Sequence, residues 1–173
     1  MTTETGGQRA LVEEATKKSG LVWVDGQALW HVWVDGAMCV VGGGPGEQPL
    51  PALADGGAAT VVVRSKDKGG RLVSWTADVA LLPPGEQAWT AAVDELRGKR
   101  LNIPDLETVT ERWARECQVF RLTPRGAPVE SPGAMPDGSG AAVPVVTSAT
   151  TRRPIPAGLP RLLLRRRGRR DTD

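Results

Sequence analysis

The sequence predicts a mainly β domain with helices, an α+β chain whose strands are antiparallel and whose last segment is disordered. Three observations carry this. Two Asp-Gly dipeptides, Asp25-Gly26 and Asp35-Gly36, lie ten residues apart between β-branched and aromatic residues, and such dipeptides most readily take the positive φ angles of two-residue hairpins. Further on, Trp89, Ala92, Val93 and Leu96 recur at i, i+3, i+4 and i+7, the period of one helix face. From Arg125 onward aromatic residues vanish and Gly, Pro, Ala and Ser dominate, so that stretch buries too little apolar surface to offset its ordering entropy.

Residues 1–7 are polar and read as frayed, and residues 8–18 as a short helix with Leu11, Val12 and Ala15 on one side. The first 14 residues are accordingly a flexible N-terminus or short helix. Strands are expected at about 20–25, 28–34 and 37–42, forming a three-stranded meander joined by the two Asp-Gly turns. The glycine run Gly42-Gly43-Gly44-Pro45-Gly46 is a loop, and residues 47–53, bearing Leu50 and Leu53, suit one helical turn. Thr60-Val61-Val62-Val63-Arg64 is the strongest β run. After the charged turn 66–70, residues 71–82 form one long strand, bent near Ala77. Helices follow at 86–97 and at 105–116, the second with Asp105 as N-cap and Leu106, Val109 and Trp113 on its face. Residues 118–122 form the closing strand, which ends at Pro124.

Composition limits the function. The chain has 173 residues, 40% hydrophobic and 24% charged, with one His and two Cys, which suits a soluble domain plus a less ordered segment. No apolar run reaches the roughly 20 residues that span a bilayer, and residues 1–20 lack the apolar core of a signal peptide. A cytoplasmic protein is the expectation. Cys39 and Cys117 are too few for a disulfide scaffold or a zinc site, and are read as reduced thiols. No metal is expected, since His31 has no second histidine to complete a site. The net charge of +2 is uneven: residues 127–173 hold eight Arg against four acids, leaving 14 bases and 16 acids in residues 1–126.

Candidate functional residues are few. His31 suits a proton donor, a haem ligand or a stacking partner, and equally a structural histidine held by hydrogen bonds. Trp23, Trp30, Trp33 and Trp75 all fall on expected strands, where most are core and one or two can line a planar ligand. The glycine run lacks the Gly-Lys-Ser/Thr ending of a mononucleotide loop and the spacing of the dinucleotide fingerprint. Arg64, Ser65, Lys66 and Arg71 flank one turn, which reads either as a solvated charged turn or as a phosphate cradle. The Arg-rich end, Arg161 to Arg170, has three readings: a nucleic-acid contact, a contact with an anionic membrane surface, or a polar extension.

The order of meander, glycine loop, long hairpin, helix pair and closing strand resembles the split β-barrel of the pyridoxamine 5′-phosphate oxidase-like flavin-binding family. The phrases Gly42-Gly43-Gly44-Pro45-Gly46-Glu47-Gln48 and Arg64-Ser65-Lys66-Asp67-Lys68-Gly69-Gly70-Arg71 are similar to those of uncharacterised bacterial proteins grouped with it. The resemblance covers about residues 15–124, the expected split-barrel domain, leaving 125–173 as the disordered Arg-rich tail. It implies a homodimer holding flavin mononucleotide (FMN) between barrels, with deazaflavin, haem or no cofactor as alternatives. The expected cofactor set is His31, Trp33, Gly43, Gly44, Gln48, Arg64, Ser65, Lys66 and Arg71; no catalytic residue is assigned. The family's usual phosphate positions fall here on His31, Trp33, Gly42, Gly43, Glu47 and Gln48, which bring no Lys or Arg. Two functions remain open: a flavin-type cofactor protein compatible with an oxidoreductase, or a cofactor-free interaction module whose basic tail meets nucleic acid or a membrane surface.

Overall fold

The computed structural model describes residues 2–66, 69–100 and 107–135. The described elements are α1 (Thr2–Lys18), β1 (Val22–Val24), β2 (Gln27–Leu29), β3 (Val32–Val34), β4 (Ala37–Gly42), β5 (Ala58–Arg64), β6 (Arg71–Leu81), α2 (Gln87–Lys99), α3 (Val109–Glu116) and β7 (Gln118–Glu130). The seven strands make one antiparallel sheet in the order β2-β1-β5-β6-β7-β4-β3. This is the α+β, open-barrel class that the sequence predicts.

Both Asp-Gly turns form as expected. Val24 faces Gln27 across the first and Val34 faces Ala37 across the second. Asp25 and Gly26 have φ of 45° and 87°, and Asp35 and Gly36 have 47° and 75°. Positive φ at both central residues is the type I′ geometry that matches strand twist. The meander does not form. The expected strand 28–34 is broken at Trp30-His31 into β2 and β3, and the two halves lie at opposite edges of the sheet. Each Asp-Gly turn thus closes its own separate hairpin, and the chain crosses from one edge to the other between them.

Two apolar clusters cover the faces. In one, Val12 and Ala15 of α1 meet Met38, Val40, Val61, Trp75, Phe120 and Leu122. In the other, Trp89, Ala92, Val93 and Leu96 of α2 and Val109 and Trp113 of α3 meet Cys39, Val41 and Val119. Alternate residues of β4 therefore serve opposite cores, which is why this strand is apolar throughout rather than alternating. The helix face read from the sequence of α2 is the buried face. For α3, Val109 and Trp113 are buried as expected; Asp105 and Leu106 lie outside the described residues.

Four boundaries differ from expectation. The first helix begins at Thr2 rather than residue 8: Val12 and Ala15 anchor it on the sheet, and Glu13–Lys17 and Glu14–Lys18 pairs support it, so turns upstream propagate from a paid nucleus. Residues 47–53 form no helical turn; they are irregular, with Gly43 N–H on the Gln48 carbonyl at 3.0 Å. In the long strand β6, the irregularity against β7 falls between Ser74 and Thr76, not at Ala77. Finally, β7 does not stop at Pro124, and residues 125–130 belong to the sheet rather than to a tail. Beyond Leu122 it has only β6 as a neighbour, so a proline that cannot donate to a second ladder is tolerated there. Between the Thr76–Arg125 and Ser74–Glu130 pairs it bulges, with Gly126 at φ 65°. The ion pairs Arg125–Asp78 and Arg71–Glu130 fasten this end. The expected tail from residue 136 lies outside the described residues.

Truncation after residue 126 removes Glu130 and the end of β7, whereas truncation after residue 135 leaves both. The first variant is expected to melt at a clearly lower temperature than the second by circular dichroism, and equal melting temperatures would show that 127–130 adds nothing to the sheet.

Candidate functional site

The crossover between the two hairpins is held by one side chain. Gln48 Oε1 accepts the Trp30 N–H at 2.8 Å, and Gln48 Nε2 donates to the carbonyls of Trp30 at 3.0 Å and Val41 at 2.9 Å. An amide that offers one acceptor and two donors replaces the strand partner that Trp30 lacks. The side chain of its neighbour Glu47 is fully buried. Glu47 Oε1 accepts from Arg112 and from the Trp113 indole N–H, both at 3.0 Å, and Arg100 approaches Oε2 at 3.3 Å. Arg100 and Arg112 also donate to the Gly46 and Pro45 carbonyls. Trp30 packs in the same cluster, 6.4 Å from Trp113 and 5.4 Å from the Arg100 guanidinium.

Gly43, Gly44 and Gln48 are all packed within this arrangement. A Cβ on Gly44 would lie 2.5 Å from Cys117 Sγ and 2.6 Å from the Glu116 carbonyl, and one on Gly42 would collide with the Gln48 carbonyl and Leu50. Gly43 sits at φ 81°, open to glycine and strained for other residues. The glycine loop is packed against its own chain, with the Gln48 amide spent on the crossover. Sequence reading took the glycines and Gln48 as a cofactor edge and passed over Glu47. A lone acid in a Pro- and Gly-rich loop carries no signal of the two arginines that meet it from more than 50 residues away.

The remaining candidates divide between two grooves beside the C-terminal end of α1. The first, of about 360 Å³, is lined by Ser19, Leu21, Trp23, Arg64, Ser65 and Lys66, among others. Arg64 lies over the Trp23 ring at 4.4 Å, a cation–π contact, and the Ser65 N–H donates to the Gly70 carbonyl at 2.8 Å. The second, of about 510 Å³, is lined by Lys17, Val32, Trp33, Glu95, Gly98 and Lys99. Trp33 is held there edge-on to Trp75, 6.2 Å between centroids at 75°. Lys99 is held below its ordinary value by burial and by the charge of Lys66, so the cations of the two grooves feel one another. Arg71 lines neither groove and pairs with Glu130 at 2.7 Å.

His31 is fully buried between β2 and β3, and its Nε2 donates to the Thr16 carbonyl at 2.9 Å. Burial is the main reason its pKa falls from 6.5 to about 4, with the Lys99 charge adding to it; the ring is neutral at pH 7. It supports α1 from beneath and meets neither groove directly. Burial pushes the Cys39 thiol up to about 11 and raises the half-buried Cys117 as well, so both stay protonated and weakly nucleophilic at neutral pH.

No protein-family model matches the chain, and no curated protein does. Among solved structures the chain is similar to HutZ, the haem storage protein from Vibrio cholerae. The identity is 9% and the TM-score 0.47, over 70% of this chain and 92% of that one. The fold of this chain rests on its own strand order. None of its described helices is long and apolar enough to cross a membrane.

Two outcomes test the scaffold. Glu47→Gln removes a buried carboxylate from between two largely covered arginines, and is expected to destabilise the fold by about 3–5 kcal/mol; a near-neutral denaturant midpoint would remove Glu47 from its central place. For His31 the folded pKa lies below the unfolded value, so its neutral form contributes nothing above pH 6.5 and stability drops as pH falls from 6.5 to about 4. The full loss is about 3 kcal/mol at 1.36 kcal/mol per pH step. Urea unfolding of wild type should therefore weaken more steeply over that window than in His31→Gln, and parallel slopes would contradict the assignment.

Proposed function

We propose that this chain binds a planar, anionic cofactor of the flavin type, its phosphate held by Arg64, Ser65 and Lys66. The observation that carries the reading is a groove with two cations and no acidic side chain among its described lining. Arg64 and Lys66 form no ion pair among the described residues, whereas seven of the thirteen described Lys and Arg side chains do. An uncompensated cationic cleft attracts anions, and phosphate oxygens suit a guanidinium, an ammonium and a serine hydroxyl in one place. Trp23 and the exposed side chain of Leu21 supply apolar surface beside the charges, as cofactor sites commonly do.

The binding set is smaller than the sequence suggests. Arg64, Ser65 and Lys66 remain in it; His31, Gly43, Gly44, Gln48 and Arg71 serve the scaffold, and Trp33 belongs to the second groove. Any redox chemistry is the cofactor's own, and the protein positions and screens it. The groove is open along one side, and a second copy of the chain covering it is part of this proposal. Haem ligation by His31 is disfavoured, because the ring is enclosed and its Nε2 already donates to Thr16. A cofactor-free interaction module is the second reading, favoured by the scaffold use of the glycine loop and Gln48; the Arg-rich tail it invokes lies outside the described residues.

A near-ultraviolet and visible absorption spectrum, taken before and after incubation with FMN and removal of excess, tests this. Stoichiometric flavin bands are expected. Hydrogen bonds to charged groups contribute about 1.5–3 kcal/mol each, so Arg64→Ala/Lys66→Ala should weaken retention by about a hundredfold or more, with the melting temperature lowered only slightly by loss of the Arg64–Trp23 contact. A colourless wild type, or a double variant that holds flavin equally well, would sink the reading.

A further inference from the structure

We propose that the second groove, between α1, β3 and α2, is a separate binding site for a small, flat monocarboxylate, with Lys99 as its anchoring cation and Trp33 as its wall. This site lies outside the cofactor set and does not depend on it.

The first support is charge without a partner. Lys99 forms no ion pair among the described residues, although Glu95 stands one helical turn earlier, where an i,i+4 pair would be favoured. The described lining holds two lysines against one acid. Lys17 is partly satisfied by Glu13 on its own helix, which leaves Lys99 as the cation in need of an anion. Partial burial and the neighbouring charge of Lys66 both disfavour the charged form of Lys99, and a carboxylate beside it favours that form. Beneath the groove, His31 is neutral at pH 7 and adds no competing charge.

The second support is shape. Val32 and Trp33 both border the groove where β3 forms the sheet edge, with side chains on opposite faces, and the Trp33 ring is fixed edge-on to Trp75, so one aromatic surface is in place before any ligand arrives. Preorganised aromatic surface lowers the ordering cost of binding. A volume of about 510 Å³ sits within the roughly 300–1,000 Å³ of small-molecule sites. Charge alone does not separate a carboxylate from a phosphate, since the two lysines attract and Glu95 repels each in proportion to its charge; the apolar Trp33 surface favours a flat carboxylate over a tetrahedral, fully polar phosphate. Lysine as a compact point donor suits one carboxylate oxygen, without the two-pronged geometry an arginine would impose.

Benzoate is a suitable probe, with benzamide as its uncharged counterpart, and titration is followed by calorimetry and by the indole N–H signals in nitrogen-15 spectra of flavin-free protein. Saturable benzoate binding is expected, clearly tighter than benzamide. Lys99→Gln should weaken it roughly tenfold, while Glu95→Gln should tighten it, a gain that a damaged fold cannot produce. Arg97→Gln removes the same charge from the same helix outside the groove and should leave the affinity unchanged. The proposal fails if benzoate does not saturate, if benzamide binds equally, if inorganic phosphate binds more tightly, or if Lys99→Gln and Arg97→Gln act alike. No flavin enters the assay, so a colourless protein and a failed benzoate titration are separate results.

Discussion

The structure depends on two adjacent side chains, Glu47 and Gln48. The Gln48 amide satisfies Trp30 where the chain leaves one sheet edge for the other, and the Glu47 carboxylate draws Arg100 and Arg112 onto the same loop. Each bond is ordinary. Their shared location is not, for it joins the glycine loop to α2, α3 and the hairpin crossover through groups buried away from competing water. A buried carboxylate shared by two arginines is held by geometry as much as by charge, and Gly44 permits that closeness by having no side chain to strike Cys117.

With the loop packed in this way, four of the described cations stand elsewhere, around two grooves. Lys17, Arg64, Lys66 and Lys99 come from three parts of the chain and gather beside the end of α1, with a tryptophan in each groove. Like charges so placed oppose folding slightly, and their natural relief is an anion. The neutral, enclosed His31 lies under the second groove as packing and as a hydrogen-bond donor to Thr16.

How much was legible follows from the range of each signal. Type I′ turns are set by Asp-Gly itself, since only residues tolerant of positive φ fill both positions. The α2 face was legible because period 3.6 places Trp89, Ala92, Val93 and Leu96 together whatever the helix packs on. The end of β7 was illegible because Pro124, Gly126 and Pro128 break every local strand pattern, and only pairing with β6 and the ion pairs of Arg71 and Arg125 make it a strand. Of the candidate site, Arg64, Ser65 and Lys66 stood out as a charged turn, while Lys17 and Lys99 gave no sign of sharing a neighbourhood.

By itself the sequence determined the fold class, both hairpin turns and the buried faces of the last two helices, because each depends on torsional preference or periodicity within a few residues. Tertiary structure alone decided that the run from Gln27 to Val34 is two strands on opposite edges, that Glu47 and Gln48 bond to Arg100, Arg112 and Trp30, and that four cations line two grooves. Those outcomes depend on satisfying backbone groups and charges with partners far along the chain, and no local pattern encodes which partner will arrive.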